Sequence, residues 1–440
     1  MVYTGFLFCR DEFRLRKEEH RRELFLLLKG VQRMSGSNDR QTGLYVYGGR
    51  RIWMKTADII IVGGGVMGSS VAFHLRKIGF DGRIVVFEKD PLYEFSSTPR
   101  SAGGIRQLYT TPINIQLSRY SLQIYKQFPQ TMAIDGELAE IHFRQNGYLF
   151  LATKEMLPSL KKHCSLQNQY GVPSQVLSAQ ELLNIIPELN IDDLAGGLYC
   201  HEDGYLDPYS VMQGYKKNAQ RLGVEYIYKE VETITTDENK VSGVRLVDGT
   251  VHHSPTVINC AGAWGVYLSE KIGVPLPVHP LKRQIFQFDV ATPLKKELPL
   301  TIDPTGVYFR HEGSKILSGF SEDTKPGIDF TVTRSLFYEQ MWPILAQRIP
   351  NFEAVKVTAA WAGLYSFNTA DHNAIIGKHP SLHGYYMALG FSGHGMQQAP
   401  GVGIGLAELI YYGKYKTIDL TPLRFERFAE NDLVLEDAVV

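Results

Sequence analysis

Two glycine-rich stretches carry residue types that hold charged groups on main-chain N–H donors. The first, IIIVGGGVMG, places Gly63, Gly65 and Gly68 in the spacing G-x-G-x-x-G. Gly63 permits a tight turn, Gly65 lets a pyrophosphate approach the backbone, and Gly68 lets the next helix pack close to the strand. The N-terminus of that helix then stabilises the phosphate charge. Glu88 follows about 20 residues after Gly68, where an acid that binds ribose hydroxyls belongs. The second stretch, GFSGHGMQQAPG, sets Gly393, His394 and Gly395 just ahead of an apolar helical run. A turn that opens into a helix N-terminus offers a second place for negative charge.

These residues need particular elements beneath them. The β-branched run Ile59–Val62 suits a strand buried on both faces. Beyond Gly68, Val71, Ala72 and Leu75 fall on one helical stripe, and Gly79 marks a stop. A second apolar strand, RIVVFEKD, ends at Glu88. The hydroxyl-rich loop YEFSSTPRSAGG can donate N–H groups to a phosphate or an aromatic ring; the alternative is a helix-capping turn. Short strands separated by turns then run to TVINCAGAW, a β-meander returning to a third parallel strand, with Ala261-Gly262 exposing backbone. The fold class expected is α/β: a Rossmann-like dinucleotide domain with an inserted meander, to which the family resemblance given below adds, by implication, a second α+β domain built on a discontinuous antiparallel sheet.

Composition narrows the function classes. The chain has 440 residues, 44% of them hydrophobic and 21% charged, as in an ordinary globular protein. Lys+Arg 46 balances Asp+Glu 46, so charge gives no argument for nucleic acid or an anionic membrane surface. Cys9, Cys164, Cys200 and Cys260 are scattered, without a C-x-x-C pair, so neither a zinc site nor a disulfide framework is expected and metal ligands are assigned to none. A reducing compartment, the cytoplasm, follows. The apolar run Leu24–Leu28 is too short to span a bilayer. Asp11, Glu12, Glu18, Glu19 and Glu23 argue against a mitochondrial transit peptide. Residues 1–54 are therefore expected to be a peripheral or poorly ordered extension, with the folded body beginning near Met54.

Four pieces, DIIIVGGGVMGSSVAFHL…VVFEKD, VINCAGAW, AGLYSFNTADHNAIIG and GFSGHGMQQAPGVGIGLAELI, resemble the FAD-dependent amine and amino-acid oxidase family, which includes D-amino acid oxidase, glycine oxidase and sarcosine oxidase. They bracket the chain from about Met54 to Ile410. The resemblance implies an FAD-binding domain over 55–140, 203–272 and 351–430, and a substrate domain over 141–202 and 273–350. It implies cofactor contacts from Gly63, Gly65, Val66, Met67 and Gly68, and from Glu88 and Lys89. Others are implied at Ser97, Thr98, Gly103 and Gly104, at Val231, and at Ala261, Gly262 and Trp264. At the ring, it implies Gly363, Gly393, His394, Gly395, Met396 and Gln397, with the helix near Met396 aimed at the pyrimidine portion. Asp371 and Gly377 match the family's segment beside the flavin. Arg100 stands where dimethylglycine dehydrogenases carry a flavin-linked histidine, and WAGLYSF lacks the cysteine of monomeric sarcosine oxidases. Both departures imply non-covalent FAD.

The implied reaction oxidises the C–N bond of a small amine or amino acid by hydride transfer to flavin N5, with O2 or a redox carrier as acceptor. The ring supplies the chemistry, so the protein must supply a cation or tyrosine for a carboxylate and an apolar wall. Arg106, Tyr365, Arg310 and His394 are the catalytic candidates. Their structural alternatives stay open: a surface ion pair for Arg106, a core ring for Tyr365, packing alone for His394. His394 could accept a substrate ammonium proton. Lys282 and Arg283 either line the pocket or face solvent. Gln397 replaces the carboxylate-binding lysine of sarcosine oxidases, which weighs against sarcosine itself. A 2-hydroxy acid or glycerol-phosphate dehydrogenase, and a flavin-bearing assembly factor without turnover, remain alternatives on the same fold.

Overall fold

The computed structural model describes residues 56–322 and 324–436, and the backbone of the strands Gln32–Arg33, Thr42–Tyr47 and Arg50–Lys55. The extension expected over 1–54 lies largely outside the described residues. Where it is described, Thr42–Tyr47 pairs antiparallel with Arg50–Lys55, so ordered strand begins before Met54. The β-forming runs LYVY and RIWM account for this pairing.

Strand β1 (Ile59–Val62) is buried along its whole length and pairs in parallel with β2 (Ile84–Glu88) on one side and Val257–Asn259 on the other. Among the described residues the sheet has six strands in the order Glu225–Tyr228, β2, β1, Val257–Asn259, Tyr385–Leu389 and Ile375–Lys378, antiparallel only at the last pair. The meander between Val231 and His253 is a separate three-stranded antiparallel sheet.

Helix α1 (Val66–Lys77) leaves the β1 turn, and helix α2 (Pro112–Lys126) follows the hydroxyl-rich loop. An eight-stranded, mostly antiparallel sheet forms the second layer. Its edge pair is β3 (Val278–Val290) and β4 (Val355–Asn368). That pairing corrects the boundary expected after residue 350. β4 belongs to the substrate sheet because its residues complete a ladder with β3 from Val278↔Asn368 to Val290↔Val355.

Helix α3 (Gly395–Tyr412) packs on α1 in the same core, where Val71, Ala399, Val402 and Leu406 are buried. Gly403 makes the crossing possible, since a Cβ there would overlap the Ser70 hydroxyl. Ser70 donates to the Ala399 carbonyl at 2.8 Å across the same contact. Pro400 sits inside α3 and cannot donate to the carbonyl four residues back. The Tyr125 hydroxyl donates to that carbonyl, Met396 O, at 2.6 Å.

Candidate active site

The β1 turn is built for close approach. Gly63 has φ +100°, and a Cβ at Gly68 would overlap the Gly63 carbonyl oxygen, so α1 can begin only on a glycine there. Gly68 therefore acts through packing and does not itself line the cavity. Gly65, Val66 and Met67 do line it, and the first turn of α1 has no side-chain cap. The Val66 N–H donates to the Thr98 hydroxyl at 3.4 Å, and the N-cap Gly65 has no side chain to serve the others. At the other end Gly393, Gly395 and Met396 line the cavity, and α3 also lacks a side-chain cap.

Both turns open on one cavity of about 760 Å³. At its tail end Glu88 accepts from the Gly64 N–H at 2.9 Å and from the Asp90 N–H at 3.0 Å. Burial raises the proton affinity of this carboxyl and the backbone donors lower it. Lys89 lies 3.9 Å over the Trp264 ring, and Val231, Ala261 and Gly262 complete this end. Ser97 and Thr98 form the middle wall; Ser97 donates to the Leu364 carbonyl at 2.6 Å.

The head end is the face of β3 and β4. Arg283 and Ile285 line the cavity from β3, Gly363 and Tyr365 from β4, and Tyr308 from a neighbouring strand. The Arg283 guanidinium carbon is 5.2 Å from the Tyr365 ring centre. One guanidinium nitrogen donates to the Lys282 carbonyl at 3.0 Å, while the buried Nε has no hydrogen-bond partner among the described residues. Burial raises the proton affinity of the Tyr365 phenol, with Arg283 and Arg106 acting against it, so the phenol stays protonated.

Several expected residues lie behind this wall. Arg106 is buried in an aromatic cage, 4.1 Å from the Tyr109 ring centre and 5.4 Å from that of Phe150. It donates to the Leu108 carbonyl at 2.6 Å and lies 3.3 Å from His394 Nε2. It is therefore neither a surface ion pair nor a lining group. Gln397 accepts from the Arg106 N–H at 3.1 Å and donates to the Tyr109 hydroxyl. His394 is buried edge-on to Tyr109, and burial followed by Arg106 pushes its pKa well below the usual imidazole range. That corrects the proton-acceptor role: a neutral imidazole of low proton affinity, off the cavity surface, is a poor base.

Arg310 is also corrected. Its Nε donates to the Ala102 carbonyl at 2.9 Å, its guanidinium pairs with Glu312 at 2.5 Å and it stacks on Tyr205 at 4.3 Å. Gly103 and Gly104 lie off the cavity: a Cβ at Gly103 would overlap the Leu206 carbonyl, and Gly104 pairs with Tyr205 in a short ladder. Asp371 is committed to a fully buried ion pair with Arg427 at 2.7 Å, and Gly377 is a strand residue away from the cavity.

The cavity fits FAD on its own features: one elongated space, two uncapped helix N-termini opening on it, a carboxylate at one end and an aromatic-cationic wall at the other. The DAO family, described as FAD dependent oxidoreductase, matches residues 58–409. The chain belongs to this family. It is 34% identical over 87% of its length, and 87% of the relative's, to "FAD-dependent oxidoreductase domain-containing protein 1" of Bos taurus. It is 27% identical to the mitochondrial sarcosine dehydrogenase of Homo sapiens, covering 85% of this chain and 42% of that protein. Among solved structures, the L-proline dehydrogenase of P. horikoshii superposes with a TM-score of 0.78 at 28% identity, covering 87% of this chain and 100% of that one. The cofactor of the fold is FAD, and these relatives include enzymes named for amino-acid donors.

Alternation along β3 carries Arg283 and Ile285 to one side, and this was the signal in the sequence that could have singled out Arg283. Tyr308 had no comparable signal, because its place depends on a ladder with Gly319.

Proposed function

We propose that the chain oxidises the C–N bond of a small amine or amino acid, of the sarcosine, glycine or D-amino-acid kind. FAD, held between the Gly63–Met67 turn and the Gly393–Met396 turn, would supply the two-electron acceptor for a hydride equivalent from the carbon beside nitrogen. The observation that carries the reading is Arg283, a cation lining the head end of a cavity shared by both glycine turns, its guanidinium 5.2 Å from the Tyr365 ring centre. Arg283 binds the substrate carboxylate through charge-assisted hydrogen bonds. Tyr308 and Tyr365 orient the substrate and exclude water, and the protonated Tyr365 phenol donates to it.

FAD is held without a covalent bond. Arg100, in the loop position of the flavin-linked histidine, donates to the Ala362 carbonyl at 2.7 Å, and Cys260 lies beside Gly63 at the nucleotide tail. A reducing, cytoplasmic setting is part of the proposal, supported by three buried free thiols, Cys164, Cys200 and Cys260. O2 or a redox carrier serves as acceptor.

Anaerobic mixing with a panel of amines, amino acids and 2-hydroxy acids tests the reaction. Bleaching of the flavin band by an amino acid is the expected result. Bleaching by 2-hydroxy acids alone would move the reading to a hydroxy-acid dehydrogenase, and bleaching by nothing would favour an assembly role. Acid precipitation should leave the yellow colour in the supernatant.

A further inference from the structure

Glu436 packs against the stretch just ahead of α2 and is 1% exposed. One carboxylate oxygen accepts from the Thr110 N–H at 2.9 Å and from the Thr110 hydroxyl at 2.6 Å. The other accepts from the Thr111 hydroxyl at 2.8 Å and from Asn114 Nδ2 at 2.9 Å. Thr110 and Thr111 immediately precede α2, and Asn114 lies in its first turn. The carboxylate thus ties the stretch just ahead of α2, which follows Arg106 and Tyr109 directly, to the C-terminal segment.

Those two residues in turn hold Gln397 and His394, at the start of α3. The main chain of the same segment is anchored too: the Glu436 N–H donates to the Asp371 carbonyl, and Asn373 donates to the Val434 carbonyl.

We propose that Glu436 is a positioning residue of the redox centre, its buried carboxylate fixing and charge-balancing the Arg106–His394 layer behind the head-end wall. The inference rests on the reading above only for where the flavin head lies. Arg106 is a buried cation in an aromatic cage, and Glu436 and Asp203 are the carboxylates that act on it. From the Thr110–Asn114 stretch Glu436 accepts from neutral donors, and the Arg106 charge acts on it. From the 371–373 loop it meets His372, with Asp371 already neutralised by Arg427, and from the α3 start it faces His394.

Removing the Glu436 charge leaves Arg106 less compensated and makes the head end more positive. A more positive site favours the deprotonated, anionic flavin. The test is a spectroscopic titration of flavin N3–H in the FAD-loaded full chain, which needs no substrate and so does not depend on the amine reaction. Glu436→Gln should lower that pKa by roughly one unit, the scale of one charge acting across a partly buried site. Thr110→Val, which keeps the charge, should leave it unchanged.

An unchanged titration in a Glu436→Gln protein that retains FAD would overturn the proposal. Should Glu436→Gln lose its flavin, Glu436→Asp decides the question. Retention by the aspartate variant supports the charge role, whereas loss from both marks Glu436 as a folding residue and overturns it.

Discussion

Arg283 on β3 stands opposite Gly363 on β4, and two residues earlier on β3 Leu281 stands opposite Tyr365. A guanidinium and a phenol therefore meet at 5.2 Å on one face of a two-strand edge. The strand's alternation sends the intervening Lys282 the other way, into an ion pair with Asp329 at 2.7 Å. Rigid ladder geometry, rather than a loop, sets the head of the cavity.

Replacing Arg283 tests its assignment to the carboxylate. Arg283→Gln should raise KM for an amino-acid substrate roughly 10- to 100-fold, the loss expected for a charged hydrogen bond. Reductive titration with the same amine lacking a carboxylate is the control. An equal loss for both ligands would show that Arg283 supports the wall without binding the acid.

The nucleotide half was largely legible in the sequence and the substrate half was not. Gly63, Gly65 and Gly68 act through local backbone geometry that a short motif encodes, and the strand, helix and Glu88 follow in register. Arg106 and Arg310 carry the charge a carboxylate site needs, but residue type cannot reveal that cages of Tyr109 and Tyr205 absorb them. Arg283 becomes the lining cation only because β4 joins the substrate sheet, a pairing between residues far apart in the chain. The role of Glu436 was invisible for the same reason: its partners, Thr110 to Asn114, are brought to it by tertiary folding.

Gly68→Ala should cost both fold stability and flavin. The added methyl would overlap the Gly63 carbonyl, so α1 must shift from β1, an overpacking penalty of about 1–3 kcal/mol. Denaturant unfolding and FAD content after gel filtration should both fall. Gly262→Ala is the contrast, since nothing lies within 4 Å of its Cβ and only its φ of +55° is strained; it should lose about 1–2 kcal/mol.

Tyr125→Phe removes the donor that serves the carbonyl left unmatched by Pro400. The ring stays, so the cost is that of one buried acceptor, about 1–3 kcal/mol in unfolding free energy. In a Pro400→Ala background the restored N–H can take the carbonyl, and the same substitution should cost clearly less. Equal costs in the two backgrounds would show that Tyr125 acts through packing.

His74 makes stability fall in mild acid. Its ring lies buried between α1 and α3, Nδ1 is 2.8 Å from the Ser70 carbonyl oxygen, and burial lowers its pKa from 6.5 to about 4. Above pH 6.5 the ring is neutral in folded and unfolded chains alike, so the full stability is present. As pH drops from 6.5 towards 4, the unfolded chain takes up a proton that the folded one refuses, and stability declines. The ceiling on this loss is roughly 3 kcal/mol. Urea midpoints measured from pH 7.5 to 4.5 should fall in the wild type and fall less steeply in His74→Gln, whose side chain has no proton to gain, the remaining slope coming from His394 and other buried histidines. A matching acid slope in both proteins would assign the loss to other groups.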